Sequence, residues 1–291
     1  MRQVGLKAYA KINLGLDVLR KREDGYHEVR MIMQSIKLYD KLTMKKTSKD
    51  EIVLHSNLGY LPNNDKNLVY KAIQLMKEEF GLTQGVKAEL EKKIPVAAGM
   101  AGGSTDAAAA LVGMNRLFRL ELTKEKLMEL GARLGADVPY CVLRGTALSE
   151  GIGEILTPLN PIPSCYILIA KPGINVSTRF VYENLEADKL SYHPDIDGMM
   201  AAIDQGDLKG ITDRLSNVLE TVTEKRYPII SKIKETMMEQ GAMNSIMSGS
   251  GPTVFGIFEQ KKTAMNALLK VQEIEMVKNA YVVEPFQPGR L

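Results

Sequence analysis

The segment Pro95-Val-Ala-Ala-Gly-Met-Ala-Gly-Gly-Ser-Thr-Asp-Ala-Ala-Ala-Ala110 sets a glycine-rich turn directly before an alanine-rich helix. A helix N-terminus presents unpaired backbone N–H groups and the positive end of the helix dipole, so such a turn can hold an anion. Gly99, Gly102 and Gly103 have no Cβ, which permits φ > 0 and a close approach of backbone to ligand. Ser104 or Thr105 can cap the helix or offer a hydroxyl to a phosphate or a metal, and Asp106 suits the first helical turn. The segment reads as a phosphate cradle; a flexible turn before a buried helix is the alternative. It is not the P-loop, because Gly102-Gly103-Ser104 lacks the lysine of Gly-Lys-Ser/Thr. Nor is it the dinucleotide fingerprint, because Gly99-x-x-Gly102-Gly103 lacks the G-x-G-x-x-G spacing.

If a phosphoryl group leaves such a cradle, one residue must offset charge and another must orient or deprotonate the acceptor hydroxyl. Asp137 is one candidate, in Ala136-Asp-Val-Pro139 after a capped helix; the alternative is a loop aspartate closing an Asx turn. Lys11 is the other, a lysine among apolar residues on a strand, where it is costly unless paired or used. The alternative there is an edge strand with Lys11 in solvent. Asn13, two residues on, shares its face and can share a hydrogen-bond network. Tyr26 and His27 follow a glycine turn, and Tyr182 sits in Phe180-Val-Tyr. Aromatic rings can sandwich a nucleobase, at about 1–3 kcal/mol per base, or simply pack. His55 and His193 lie in polar loops and suggest nothing.

These residues need elements to hold them. From Val4 to Val18 the apolar residues share one parity, the signature of a strand, with Lys7, Tyr9, Lys11, Asn13 and Asp17 on the other face. Arg22-Glu-Asp-Gly25 is a turn, and Val29–Ile36, Asp40–Lys46 and Ile52–His55 read as further strands. A helix is expected over Leu68–Phe80, ended by Gly81, then a strand over Val86–Glu91 and the cradle helix over Ser104–Phe118. Thr123 caps a helix carrying Leu127, Leu130 and Leu134, stopped by Gly135, and Ala136–Pro139 reads as a loop. The prolines at 158, 161 and 163 suggest a domain boundary, giving domains 1–157 and 158–291. Beyond them lie a strand (Cys165–Ala170), a helical region (Pro194–Val222) broken near Gly206 and a helix (Tyr227–Gln240). Strands at Ser245–Ser248 and Thr253–Phe258 join through Gly249-Ser-Gly-Pro252, and a helix (Lys261–Glu273) and a strand (Ala280–Glu284) close the chain. Without the extra helices this order is β-α-β-β-α-β.

The bulk numbers exclude several classes. A chain of 291 residues with 45% hydrophobic and 25% charged content is an ordinary globule of about two domains. A net charge of +3, spread along the chain, argues against an extended nucleic-acid surface; blocks such as Lys45-Lys46 and Glu91-Lys92-Lys93 read as solvated faces. Cys141 and Cys165 sit in apolar stretches and read as buried thiols, with neither disulfide framework nor zinc site. The N-terminus shows no signal-peptide pattern and no run is long enough to span a bilayer, so a cytoplasmic location without membrane partners is expected.

Taken together in order, the motifs resemble the GHMP kinases. Pro95-x-x-x-Gly-Met-Ala-Gly-Gly-Ser-Thr105 resembles their phosphate loop, and Met247-Ser-Gly-Ser-Gly-Pro-Thr-Val-Phe255 their C-terminal glycine motif. Ala8-Tyr-Ala-Lys-Ile-Asn-Leu14, Asp24-Gly-Tyr-His27, Gly135-Ala-Asp-Val-Pro139 and Glu150-Gly-Ile-Gly-Glu154 are similar to the branch acting on 4-diphosphocytidyl-2-C-methyl-D-erythritol in non-mevalonate isoprenoid biosynthesis. The resemblance implies an α+β fold, with a ribosomal-protein-S5-like N-terminal domain and a ferredoxin-like C-terminal domain. It implies ATP with Mg²⁺ as cofactors, a small-molecule cytidyl substrate phosphorylated on its 2-hydroxyl, no nucleic acid, and a monomer or weak homodimer. Asp137 then matches the catalytic base and Lys11 its charge-stabilising partner. Pro95, Val96, Ala97, Ala98, Gly99, Met100, Ala101, Gly102, Gly103, Ser104 and Thr105 match the ATP phosphate loop, with Asn67 and Lys92 near the nucleotide. Tyr26, His27 and Tyr182 match the cytidine end, two of the rings stacking on cytosine, and Asn13 and Thr178 match contacts near the erythritol diphosphate. No protein metal ligand is implied beyond Ser104 or Thr105. Ala101 stands where the family carries glycine, so φ < 0 is expected there. Other small-molecule GHMP kinases and a non-catalytic nucleotide- or RNA-binding regulator are the rival readings.

Overall fold

A computed structural model describes residues 3–288; the outermost residues of the two expected domains, 1–2 and 289–291, lie outside it. The chain divides into two compact units.

The first unit comprises the described part of Met1–Ala10 with Leu38–Val96 and Ala101–Leu143. It uses the start of β1 (Gln3–Lys21) and the end of β2 (His27–Thr47), then β3 (Ile52–Ser56), α1 (Leu68–Glu79), β4 (Gly85–Glu91), α2 (Gly102–Phe118), α3 (Lys124–Ala132) and α4 (Val138–Leu143). Its strands lie in the order β3-β4-β2-β1, with β2 antiparallel and β3 parallel to β4. The alanines of α2 let the helix lie close to this sheet: a Cβ added to Gly113 would come within 2.5 Å of Met44 Sδ on β2. α1 packs beside α2, presenting Val69, Ala72, Ile73 and Met76 as one buried face at helical spacing.

The second unit comprises Lys11–Lys37, Ala97–Met100 and Arg144 onward. It holds the rest of β1 and β2, β5 (Thr146–Glu150), β6 (Ile155–Pro158), β7 (Tyr166–Pro172), α5 (Thr178–Glu183), α6 (Ile196–Gln205), α7 (Leu208–Asp213), β8 (Ser216–Asn217), α8 (Glu220–Arg226), α9 (Ile229–Glu239), β9 (Asn244–Met247), β10 (Val254–Phe258), α10 (Lys261–Gln272) and β11 (Val277–Val283). Strands β7, β9, β10 and β11 form an antiparallel four-stranded sheet in the order β11-β7-β10-β9. The chain order β7-α9-β9-β10-α10-β11 matches the β-α-β-β-α-β pattern expected from sequence. Elsewhere in the unit β5 pairs with β2 and β6, and β8 runs parallel to β1 at Gly15 and Leu16.

Several local expectations are corrected. Val29–Ile36 and Asp40–Lys46 are one strand, because Lys37-Leu-Tyr39 offers no turn residue and keeps the pleat. β1 alternates only at its start; from Ala10 to Val18 both faces are buried, and at Gly15 the cover is α6, whose Ile196 would meet an added Cβ. Helix α3 stops at Ala132, short of Leu134. Ala136–Pro139 is not simply a loop, since α4 starts at Val138 with Pro139 in its first turn, where a missing N–H costs nothing. The hairpin β5–β6 and helix α5, capped by Ser177, were not anticipated.

Candidate active site

In the first unit the cradle is built by backbone strain and a bare helix end. Helix α2 begins at Gly102, two residues before the expected Ser104, and no side chain caps it. Its N-cap is Ala101 at φ 54°, contrary to the expected φ < 0. The left-handed conformation costs an alanine about 1 kcal/mol, and it turns the chain so that the first-turn N–H groups stay unpaired. Neither Ser104 nor Thr105 caps the helix. The Thr105 hydroxyl is buried and donates to the Tyr9 carbonyl of β1 at 2.8 Å; Ser104 stays half-buried in the first turn. Pro95 is half-buried and Val96 exposed.

Lys92 is not part of a solvated face. Its ammonium, 4% exposed, lies between Asp106 of α2, at 2.6 Å, and Asp40 of β2. A Cβ on Gly102 would come within 3.3 Å of its Nζ, so the cluster underlies the start of α2. Asp40 also accepts the backbone N–H groups of Lys93 and Ile94. Burial pushes the Asp106 carboxyl well above the usual carboxylate range, against the pull of Lys92. Burial alone would depress the Lys92 ammonium, but Asp106 and Asp40 together raise it. Asp106 thus lies beyond the first turn, as an ion-cluster member rather than a helix-dipole partner, and its Oδ1 is buried without a hydrogen-bond partner. Asn67 caps α1, accepting from Val69 N–H at 2.9 Å.

Asp137 immediately precedes α4, where its carbonyl accepts the Cys141 N–H at 3.1 Å. It is half-buried, and its carboxylate has no hydrogen bond or ion pair among the described residues, so the Asx turn does not form. A carboxylate held in place by its backbone yet left open is suited to accept a proton from a ligand.

The second unit brings several expected residues together. Lys11 is 6% exposed rather than on a solvated edge, and its ammonium donates to Asn13 Oδ1 at 2.6 Å. Asn13 in turn donates to Met31 Sδ. The backbone N–H of Lys11 donates to the Met100 carbonyl, tying β1 to the loop Ala97–Met100. In that loop Ala97 and Gly99 take φ 51° and 69°. Gly99 meets the β9–β10 turn: an added Cβ would lie 2.3 Å from the Ser248 carbonyl, and the Ser248 hydroxyl donates to the Gly99 carbonyl at 3.0 Å. Gly249 of the same turn lies beside Asn13. Ala98 and Met100 are buried and anchor the loop.

Helix α5 links this group to the aromatic one. Thr178 and Tyr182 lie four residues apart, on one helical face. The Thr178 hydroxyl is 2.8 Å from that of Ser250, and the Tyr182 ring is 5.1 Å from that of His27, tilted by 44°. Burial, and then the charge of Lys21, hold His27 below its ordinary pKa, so it is a neutral ring at physiological pH. Tyr26 is 59% exposed at the hairpin turn, where Asp24 accepts its N–H. His193, set aside in the sequence, pairs through Nδ1 with buried Asp17 at 2.9 Å; the partner sits far away in the chain. Ser248, Gly249 and Ser250 were legible as a glycine turn but not as residues touching the loop.

Residues 67–145 match the family described as GHMP kinases N terminal domain, and residues 199–275 match GHMP kinases C terminal. A protein of Lachnoclostridium phytofermentans named 4-diphosphocytidyl-2-C-methyl-D-erythritol kinase is 55% identical over 98% of each chain. A crystal structure of 4-(cytidine 5'-diphospho)-2C-methyl-D-erythritol kinase superposes with a TM-score of 0.84 at 31% identity, over 98% of this chain and all of the other. Homoserine kinase from Cytophaga hutchinsonii shares the fold alone, at TM-score 0.76 and 20% identity over 97% of this chain and 94% of the other. The uncapped, strained loop before an alanine-rich helix and the buried lysine on β1 are therefore those of a two-domain α+β kinase, and the chain belongs to the GHMP kinase family.

Proposed function

We propose that this chain transfers the γ-phosphoryl group of ATP to the 2-hydroxyl of 4-diphosphocytidyl-2-C-methyl-D-erythritol, a step of non-mevalonate isoprenoid precursor synthesis. The observation that carries the choice of acceptor is the 55% identity, over 98% of each chain, to a protein bearing that enzyme's name. Tyr182, His27 and Tyr26 support it, since only a base-bearing acceptor needs rings at one end.

The nucleotide's phosphates lie along Pro95–Thr105, received by the first-turn N–H groups of α2, with Asn67 and Lys92 toward the nucleoside. Lys92 acts there from its ion cluster, through the start of α2. Asp137 accepts the proton of the 2-hydroxyl as its oxygen bonds to the γ-phosphorus and the bond to the β-phosphate oxygen breaks, releasing ADP. Lys11, oriented by Asn13, favours the alkoxide and offsets its charge. The acceptor's diphosphate lies near Asn13 and Thr178, and its cytosine between rings drawn from Tyr26, His27 and Tyr182. Because phosphoryl transfer is largely positioning and electrostatics, Asp137 and Lys11 act on turnover more than on binding.

Among the described residues no group of three or more His, Cys, Asp or Glu could hold a metal. The Ser104 hydroxyl fits a Mg²⁺ carried by the nucleotide, which would neutralise phosphate charge when bound. The S5-like and ferredoxin-like assignments, with domains 1–157 and 158–291, belong to the same reading. The sheet order β11-β7-β10-β9 supports the second assignment. The same reading includes a cytoplasmic location, a monomer or weak homodimer and no role for nucleic acid; no described helix is long and apolar enough to cross a membrane.

An ADP-release assay with a panel of acceptors tests the proposal. The expected result is turnover with the cytidyl substrate and at least about a hundredfold less with homoserine, mevalonate or methylerythritol lacking the cytidyl group, as a lost stacking and hydrogen-bonding end demands. Turnover with homoserine or mevalonate alone would assign the chain to another branch. Salt-dependent RNA binding without ADP release would remove the catalytic reading.

A further inference from the structure

Asn217 lies outside every motif that marks the site. It is 4% exposed and engages its whole side-chain amide. Nδ2 donates to the carbonyls of Met247 and Gly249, each at 2.8 Å, and Oδ1 accepts the Leu219 N–H at 3.0 Å. Its strand, β8, is paired to β1 at Leu16, so the amide projects from the neighbour of the strand that carries Lys11 and Asn13. Three residues on, a Glu220 carboxylate oxygen accepts the Met247 N–H at 2.6 Å. The turn from Met247 to Gly251 is thus clamped on one side by β8 and the start of α8. On its other side it bears on the phosphate loop, through Ser248 Oγ to the Gly99 carbonyl and the contact that forbids a Cβ at Gly99.

We infer that Asn217 is a positioning residue for nucleotide binding: it fixes the Met247–Gly251 turn, and the turn fixes the height of Ala97–Met100, the first half of the phosphate loop. The inference rests on that loop's proposed role as the ATP cradle. An amide is required because one group must donate to two carbonyls and accept from one N–H. An aspartate of the same shape would set a carboxylate against two carbonyl oxygens, and a leucine would leave all three backbone groups unpaired in the interior. The device differs from packing in what it controls. The same turn also meets the acceptor side, through Ser250 to the Thr178 hydroxyl and through Gly249 beside Asn13, so Ser248, whose hydroxyl donates to the Gly99 carbonyl, isolates its effect on the nucleotide.

The test measures KM for ATP, KM for the acceptor, kcat and thermal stability in three variants of the full chain. Asn217→Asp and Asn217→Leu each raise KM for ATP by at least about tenfold and raise KM for the acceptor by less, as loss of one or more buried hydrogen bonds behind the loop implies. Ser248→Ala removes only the bond to Gly99 and carries the test if the Asn217 variants fail to fold. It raises KM for ATP by about fivefold with melting unchanged. Lower melting temperatures with an unchanged KM for ATP, or an unchanged KM for ATP in Ser248→Ala, would overturn the inference and make Asn217 a packing residue. Calorimetric titration of wild type with ATP separates this failure from the other: no ATP binding by the intact protein would remove the loop's role itself.

Discussion

In the proposed reaction Asp137 and Lys11 carry the chemistry, and each is distinguished by what its environment withholds. Asp137 has its backbone fixed by α4 and its carboxylate left without a partner among the described residues. Asp137→Asn is expected to lower kcat by about a thousandfold, within the range of a lost general base, while KM for ATP stays within about threefold; retained turnover would remove the base assignment. Lys11 is buried, and among the described residues its side-chain partner is Asn13. It is thus an ammonium out of water whose charge is not cancelled by a carboxylate, the state needed to stabilise a developing alkoxide. Lys92 is the opposite case, an ammonium shared by two aspartates. Lys92→Met leaves two buried carboxylates facing one another and should cost about 3–5 kcal/mol by denaturant melts. Burial raises the Asp106 carboxyl, so it gives up its proton at higher pH in the folded chain than in the unfolded one. Its contribution to stability is therefore full below the ordinary carboxylate range and is lost as pH rises through the raised value. Asp106→Asn should flatten the decline of stability as pH rises above the ordinary carboxylate range; it does not abolish it, because half-buried Glu220 is raised in the same direction. An unchanged slope would place Asp106 outside that linkage.

At the level of elements, the phosphate loop is a strained turn whose conformation is imposed by neighbours. Ala97, Gly99 and Ala101 all take positive φ, and two of them pay for it with a Cβ. Ala101→Gly is expected to stabilise the protein by about 0.5–1 kcal/mol, read as a melting rise of about 2 °C. No gain would mean that the alanine methyl contributes packing equal to its strain. Gly99→Ala acts the other way: its Cβ would collide with the Ser248 carbonyl, and loss of ATP binding is expected before loss of the acceptor's. The elements themselves were largely legible. The parity at the start of β1, the cap Thr123 and the stop at Gly81 are local signals, and local signals survive folding. What the sequence hid was set by tertiary contact. The burial of Lys92 depends on Asp40 and Asp106, each distant in the chain, so the charged run around it reads as surface. The positive φ of Ala101 is imposed by the surrounding loop, against its own preference. Helix α5 is six residues long, too brief to show a period, although it carries Thr178 and Tyr182 on one face. Asn217 gave no signal at all, because a buried amide is recognised only by the three backbone groups that meet it.

For the whole molecule, the resemblance read from ordered motifs is matched by relatives spanning nearly the entire chain, and the family follows from it. The fold does not choose the acceptor, since a homoserine kinase shares it; the choice rests on the aromatic group at His27 and Tyr182 and on close sequence identity. The most direct measurement is therefore of the product: ³¹P NMR of a reaction of purified protein with ATP, Mg²⁺ and 4-diphosphocytidyl-2-C-methyl-D-erythritol. The expected spectrum shows ADP and, in equal amount, a new phosphomonoester coupled to neither of the diphosphate phosphorus atoms, assigned to the 2-oxygen by its proton and carbon couplings. ADP accompanied only by free phosphate, or a phosphate placed on another hydroxyl, would contradict the account.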